Sequence, residues 1–262
     1  MIKAKKSLGQ NFLIDDDVIN KIVNTCNSFN KTVLEIGPGT GNLTRAILQK
    51  KPKKLFVIEK DSSLCDLLEK NFKEKIKIYN NDVLNFDEKS LTNEKVTVFG
   101  NLPYNISTEI LCKWIVNLRD DYFWFDQLTL MFQKEVANRI IANFNSSNYG
   151  RLSILSNWKL NIIKICDISS NSFLPKPKVD SSLLYFTPKK NYYKIYDPKN
   201  LEKISRIFFN QRRKMIKKPY NIIFNGNIEI INKLKLDLNL RPQNLNLNTY
   251  YDLAKEYENL KS

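Results

Sequence analysis

The chain has 262 residues, is 42% hydrophobic and carries a formal net charge of +15 with no histidine. That apolar content suffices for a buried core, so disorder is set aside, and the length suits a large domain with or without a smaller one. The absent histidine excludes a Ser-His-Asp triad and a His-ligated zinc, while the positive excess points to a polyanionic partner, RNA, DNA or an anionic membrane surface.

Met1 to Gln10 holds lysines with no hydrophobic segment behind them, unlike a secretory signal, and no stretch is apolar and long enough to span a bilayer. A cytoplasmic protein is expected. "QNFLIDDDVINKIV" follows, with Asp15 to Asp17 suited to a helix N-terminus. Gln10, Asn11 and Leu13 ahead of that helix are candidates for a lid. "TVLEIG" (Thr32 to Gly37) reads as a strand, "NLTRAILQK" (Asn42 to Lys50) as a helix, and "KLFVIEKD" (Lys54 to Asp61) as a second strand. "SSLCDLLEKNF" (Ser62 to Phe72) is a helix with a Ser cap, and "IKIYNND" (Ile76 to Asp82) and "VTVFG" (Val96 to Gly100) are further strands. Helix "STEILCKWIV" (Ser107 to Val116) and strand "LTLMFQ" (Leu128 to Gln133) complete a βαβ alternation. It predicts a parallel sheet covered on both faces.

The pattern changes after Asn143. "GRLSILSNWKL" (Gly150 to Leu160) reads as helical, and "NIIKICDIS" (Asn161 to Ser169) and "SSLLYFTP" (Ser181 to Pro188) as two last strands. The prolines of "NSFLPKPKVD" between them predict irregular structure. Beyond Lys190 the spacing predicts only helices, the first running through "NLEKISRIFFNQRRKMI". This divides the chain into a domain over 1–190 and a helical domain over 191–262. From Lys189 to Ser262 sixteen Lys and Arg stand against seven Asp and Glu. The cysteines Cys26, Cys65, Cys112 and Cys166 form no CxxC pair and read as small buried residues in a reducing compartment, so no metal is expected.

Three strand ends carry chemistry. After Glu35-Ile36 come Gly37, Gly39 and Gly41, which let a ligand approach main-chain N–H groups at a helix N-terminus. Glu59 closes the second strand, where an acid can accept both ribose hydroxyls. Asp82 closes the third, where an acid can take the exocyclic amine of adenine. Together they describe a pocket for an adenosine-bearing cofactor above a parallel sheet. The GxGxG spacing departs from GxGxxG, and Asn42 stands where a P-loop needs lysine. The arrangement resembles the S-adenosylmethionine-dependent methyltransferases with a Rossmann-like core.

Asn101-Leu102-Pro103-Tyr104 resembles the [D/N]PPY-type motif of enzymes that methylate exocyclic amines of bases. An adenine amine is a poor nucleophile because its lone pair is delocalised into the ring. If Asn101 Oδ1 and the Leu102 carbonyl each accept one N–H, the nitrogen is drawn toward a tetrahedral geometry and its developing charge is stabilised. Pro103 restricts the backbone that aims the Leu102 carbonyl. Tyr104 offers a π-face to an unstacked base. In "SFLPKPKVDSS", Phe173 is a candidate for the other face of the base, with Lys176 and Lys178 on phosphates. In "NQRRKMIKK", Arg212, Arg213 and Lys214 are candidates for phosphate contact from a helix face.

"KSLGQNFLID", "LEIGPGTG", "GNLPYNIST", "QKEVANRI", "YGRLSIL", "FLPKPKVDSS" and "NQRRK" together resemble the KsgA (RsmA) family of small-subunit rRNA adenine dimethyltransferases, in family order from about Lys5. The resemblance implies an α/β fold, a Rossmann-like S-adenosylmethionine domain with a small all-helical C-terminal domain. It implies dimethylation of two adjacent adenosines in the hairpin near the 3′ end of 16S rRNA, on a late 30S precursor, by a monomer. It implies cofactor contacts at Asn11, Leu13, Gly37, Glu59, Asp82 and Asn101, and base handling by Asn101, Tyr104 and Phe173. The tail departs from the family in its short, Asn-rich end. The Erm group of 23S rRNA dimethyltransferases shares the glycine loop and an NLPY-type motif, although "SLGQNFLID", "QKEVANRI" and "PKPKVDSS" favour the first family. A non-catalytic RNA-binding assembly factor on the same fold is the other alternative.

Overall fold

The structure is a computed structural model, and it describes residues 4–118 and 123–261. In chain order its elements are β1 (Phe12–Leu13), α1 (Asp16–Asn24), β2 (Thr32–Ile36), α2 (Asn42–Gln49), β3 (Lys54–Glu59) and α3 (Ser62–Phe72). They continue with β4 (Lys77–Asn80), β5 (Val96–Asn101), α4 (Ser107–Val116), β6 (Phe125–Gln133), α5 (Lys134–Ile140) and α6 (Arg151–Lys159). The last are β7 (Leu160–Ile168), β8 (Phe173–Leu174), β9 (Ser181–Pro188), α7 (Pro198–Phe209), α8 (Lys217–Phe224), α9 (Ile228–Leu234) and α10 (Leu247–Asn259). Contacts group them into two compact units.

The first unit comprises Met1–Lys113, Leu118–Ala137 and Asn161–Pro188. Among its described residues runs a seven-stranded sheet in the order β4-β3-β2-β5-β6-β9-β7. The crossovers from β2 to β6 pair in parallel, whereas β9 lies antiparallel to β6. The sheet is therefore mixed and not wholly parallel. Helices α5 and α6 lie between β6 and β7, but β7 and β9 are joined by residues 169–180 with no α-helical crossover to keep the direction. Every residue of β2 is buried, as a strand covered on both faces requires, while the edge strand β4 is half-buried in its middle and exposed at both ends.

Local chemistry sets the helix starts. Asp15 caps α1 by accepting the Val18 N–H at 3.1 Å, with Asp16 and Asp17 in the first turn. At α3 the cap is Asp61, not the expected Ser62, because the Asp61 carboxylate accepts the Ser63 N–H at 3.1 Å. The stretch around the prolines is not wholly irregular. Phe173-Leu174 forms a two-stranded antiparallel ribbon with Phe12-Leu13, and the Leu174–Pro175 peptide is cis. The four cysteines are free thiols, each half-buried.

The second unit comprises Trp114–Asn117, Asn138–Leu160 and Lys189–Ser262. Residues 138–160, which a cut along the sequence assigns to the first domain, cluster here. Its interior is aromatic. Tyr149, Phe208 and Tyr250 are fully buried, and Tyr250 packs edge-on against Phe208 with ring centroids 5.8 Å apart. Two of the buried hydroxyls find carbonyls, Tyr250 donating to Pro242 O at 2.7 Å and Tyr251 to Ile154 O at 3.1 Å, whereas the Tyr149 hydroxyl has no hydrogen-bond partner among the described residues. Helix α7 ends at Phe209, so "NQRRKMI" is a turn ahead of α8 and not the end of a helix. Among the described residues no helix is long and apolar enough to cross a membrane.

Candidate active site

A cavity of about 190 Å³ opens at the carboxyl ends of β2, β3 and β5, entirely within the first unit. Asn11, Leu13, Gly37, Gly39, Glu59 and Asp82 all line it, as do Asn101, Leu102, Pro103 and Tyr104. Residues scattered over some ninety positions of sequence meet because parallel strands deliver their ends to one edge of the sheet.

The glycine loop turns through left-handed backbone at Gly37, Gly39 and Gly41, with φ of +64°, +58° and +85°. At Gly39 the need for glycine is double, since an added Cβ would also lie 2.8 Å from the Phe12 ring. The Gly39 N–H donates to Glu59 Oε2 at 3.2 Å, and the Asp61 N–H donates to Glu59 Oε1 at 3.0 Å. Burial nonetheless raises the Glu59 pKa above its ordinary value. Beside it lies Glu35, which sequence reasoning did not assign a role. Glu35 is 1% exposed, lines the cavity and accepts the Thr44 hydroxyl at 2.7 Å. Burial pushes its carboxyl up to about 8. Asp82 stands past the end of β4, on the loop that follows it. Its carboxylate accepts from Lys60 Nζ at 2.8 Å and from the Leu84 N–H at 3.0 Å, and the Lys60 ammonium holds it below the usual carboxylate range.

Lys113, on α4, was also missed. Its side chain is 18% exposed and its ammonium reaches back to the loop after Asp82, donating to Val83 O at 2.7 Å, to Phe86 O and to Glu88 Oε1 at 2.9 Å. One cation so fixes the wall that Asp82 and Val83 give to the cavity. No local pattern signals this, because its partners lie some thirty residues upstream.

The N-terminal segment is latched across the cavity at several points. Asn42 Nδ2 donates to Leu13 O at 2.8 Å, and Asn101 Nδ2 donates to Asn11 O at 2.9 Å. Lys5 Nζ and Gln10 Nε2 both donate to the Asp61 carboxylate, at 2.7 and 2.9 Å. Burial alone would raise the Asp61 pKa, but these two hydrogen bonds, the Lys5 charge and the Ser63 N–H together hold the carboxyl below its ordinary value. Asn11 Nδ2 in turn donates to Gly9 O at 3.2 Å.

Asn101 is the last residue of β5 and is half-buried. The Asn11 carbonyl can only accept, so the Asn101 side chain must turn its NH₂ to it. The oxygen Oδ1 is then the atom left to accept from a ligand. Tyr104 is half-buried and lines the cavity, and its hydroxyl lies 2.5 Å from Ser181 Oγ. Burial raises the pKa of this phenol.

Four expected residues are placed differently. Phe173 does not line the cavity: it is 2% exposed, packs in the hydrophobic core and pairs with Leu13 across the β1–β8 ribbon. Ribbon pairing turns its ring inward, and the aromatic that meets the cavity wall from this ribbon is Phe12. Arg212 is committed inside the second unit, where its Nε donates to Gln243 Oε1 at 3.1 Å and its NH2 nitrogen to Ser146 O at 3.0 Å. Arg213 and Lys214 are exposed, on a turn instead of a helix face. Lys176 and Lys178 are exposed.

The donor set suits S-adenosylmethionine. A buried carboxylate at the end of β3 suits a ribose diol, the Asp82 loop an adenine edge, and a glycine cradle that a Cβ would fill suits a ligand pressed on main chain. Among the described residues no cluster of His, Cys, Asp or Glu could hold a metal.

A family model described as ribosomal RNA adenine dimethylase matches residues 1–259. The chain is similar to Ribosomal RNA small subunit methyltransferase A of Pelagibacter ubique, with 63% identity covering 99% of each chain. It is similar to the protein of that name from Ehrlichia ruminantium, with 44% identity over 97% of each. Among solved structures it resembles a dimethyladenosine transferase from Plasmodium falciparum, at a TM-score of 0.80 and 26% identity, covering 95% of this chain and 98% of the other. The 23S rRNA methyltransferase ErmE shares the fold at a TM-score of 0.66 and 20% identity, covering 95% of this chain and all of the other.

Proposed function

Because the chain belongs to the ribosomal RNA adenine dimethylase family, we propose that it dimethylates the exocyclic amines of two adjacent adenosines in the 3′-terminal hairpin of 16S rRNA. The proposed setting is a late 30S precursor in the cytoplasm, with the enzyme acting as a monomer. The small subunit is favoured over the large by relatives at 63% and 44% identity that carry the small-subunit name over nearly their whole length.

The observation that carries the chemistry is the orientation of Asn101. With its NH₂ committed to Asn11 O, Asn101 presents Oδ1 to the cavity as an acceptor. S-adenosylmethionine, when bound, supplies an electrophilic methyl group on a positively charged sulfur. Glu59 would accept the ribose hydroxyls, the Asp82–Val83 loop would receive the adenine ring, and the Gly37–Gly39 backbone would lie against the cofactor. Asn101 Oδ1 and the Leu102 carbonyl accept the two N–H groups of the target amine and hold its protons, which draws the lone pair out of conjugation. Both acceptors also stabilise positive charge on that nitrogen. Pro103 restricts Leu102 to extended backbone and so aims its carbonyl. Tyr104 lies along the face of the base. No side chain has to remove a proton before the displacement, which suits a chain without histidine.

Incubation with labelled S-adenosylmethionine and undermethylated 30S or 50S particles tests the reading. Label is expected on 16S rRNA alone. Label on 23S rRNA would overturn the small-subunit assignment, and no label on either would favour a binding role without catalysis.

A further inference from the structure

The motif "PKPKVDSS" distinguishes this chain in sequence, yet neither Asp180, Ser181 nor Ser182 lines the cavity. Their partners separate their roles. Asp180 closes its own loop: its Oδ1 accepts the Ser170 N–H at 3.0 Å, and its carbonyl accepts the Lys134 N–H at 2.9 Å. Ser182 fixes the start of β9 from the opposite face of the strand, donating to Asp167 Oδ1 at 2.6 Å. Asp167 is itself held by Lys164 and Lys134, at 2.6 and 3.0 Å. Ser181, fully buried, is the member of the motif that reaches a cavity-lining side chain, Tyr104.

We infer that Ser181 is a positioning residue for methyl transfer, whose hydroxyl fixes the Tyr104 ring at the angle from which it receives the target base. The inference rests on the reading of Tyr104 as the face of that base. The geometry supports it from both ends of one segment. At the far end Phe173 pairs with Leu13, and the adjoining Asn11 carbonyl orients the Asn101 amide. At the near end Ser181 holds Tyr104. The segment from 173 to 181 thereby braces the Asn101–Tyr104 clamp on its two sides without entering the cavity. The backbone of Tyr104 is fixed separately, since Ser107 Oγ donates to Tyr104 O at 3.2 Å. Loss of the Ser181 hydroxyl leaves ring orientation as the freedom released.

The test compares S181A, Y104F and S181A/Y104F on undermethylated 30S particles, with S-adenosylmethionine affinity by calorimetry and melting temperature alongside. Each single substitution removes the same hydrogen bond and is expected to lower kcat/KM for the particle about tenfold, the factor that corresponds to 1.4 kcal/mol. S-adenosylmethionine affinity is expected to stay within about twofold, and the double variant to fall no further than either single one. A merely structural Ser181 would lower the Y104F background as much as the wild type. Additive losses, or a wild-type rate for S181A, overturn the inference. If S181A does not fold, Y104F carries the test alone, and a wild-type rate for it overturns the inference equally. Y104A separates the two levels: full activity removes Tyr104 from the base and the inference with it, whereas an inactive Y104A with additive singles removes Ser181 only.

Discussion

At the scale of single residues, Asn101 has two jobs assigned to two atoms. Asn101→Ala removes both, so methylation is expected to fall by about 10² to 10³, while S-adenosylmethionine affinity drops only severalfold. Turnover near the wild-type rate would disprove the clamp. Asn101→Asp is the sharper variant. Its carboxylate keeps an acceptor for the amine but sets a second oxygen against the Asn11 carbonyl, so activity should fall although the chemistry alone tolerates Asp. Glu35 yields a pH prediction. Its carboxyl rises from 4.5 in the unfolded chain to about 8 in the fold, so the folded state holds a proton that the unfolded state has lost. Its contribution to stability is complete below about 4.5 and fades as pH climbs toward about 8, with a slope approaching about 1.4 kcal/mol per pH unit. Melting curves from pH 5 to 9 should show this decline in the wild type and a flatter profile for Glu35→Gln. The motif residues were legible in sequence because each motif is contiguous. Ser181 and Lys113 were not, because Tyr104 and Val83 lie 77 and 30 positions from them.

At the scale of elements, the strand ends were readable because buried parallel strands leave unbroken apolar runs that stop at a polar residue. What the runs could not reveal is how a loop is held once the strand has ended. Lys113 shows this: Lys113→Met withdraws the cation from Val83 O, Phe86 O and Glu88, and S-adenosylmethionine affinity should weaken about tenfold or more, as for one lost charged hydrogen bond. Unchanged calorimetric affinity would detach this loop from the cofactor. Phe173 was misplaced for a related reason. The prolines after it suggested an irregular segment that could bring its ring to the base, but pairing with Leu13 turned it inward. The basic run was read as helix because its spacing is periodic, whereas Arg212 bonds to Gln243 and Ser146 in a turn.

At the scale of the molecule, charge and mixed sheet differ in how well the sequence discloses them. The positive excess is a sum and survives any folding. The strand order and the recruitment of residues 138–160 into the second unit depend on contacts between distant segments. The basic turn can be dissected accordingly. Neutralising Arg213 and Lys214 should weaken binding to 16S rRNA and reduce its salt slope by about one to two, with no change in melting temperature. Arg212→Ala should instead lower the melting temperature through the lost bonds to Gln243 and Ser146. A salt slope unaltered by the first pair would mark that turn as a solvated surface.

The β1–β8 ribbon has a consequence for how the protein is made. Phe12 and Leu13 are synthesised about 160 residues ahead of their partners Leu174 and Phe173. The β1 strand, which gives Phe12 and Leu13 to the cavity wall, therefore stays without its strand partner until residues 173–174 emerge. A nascent chain that stops before residue 173 has Asn42 and Asn101 to latch Leu13 and Asn11 but lacks the strand pairing, so it should bind the methyl donor less tightly than the longer chain.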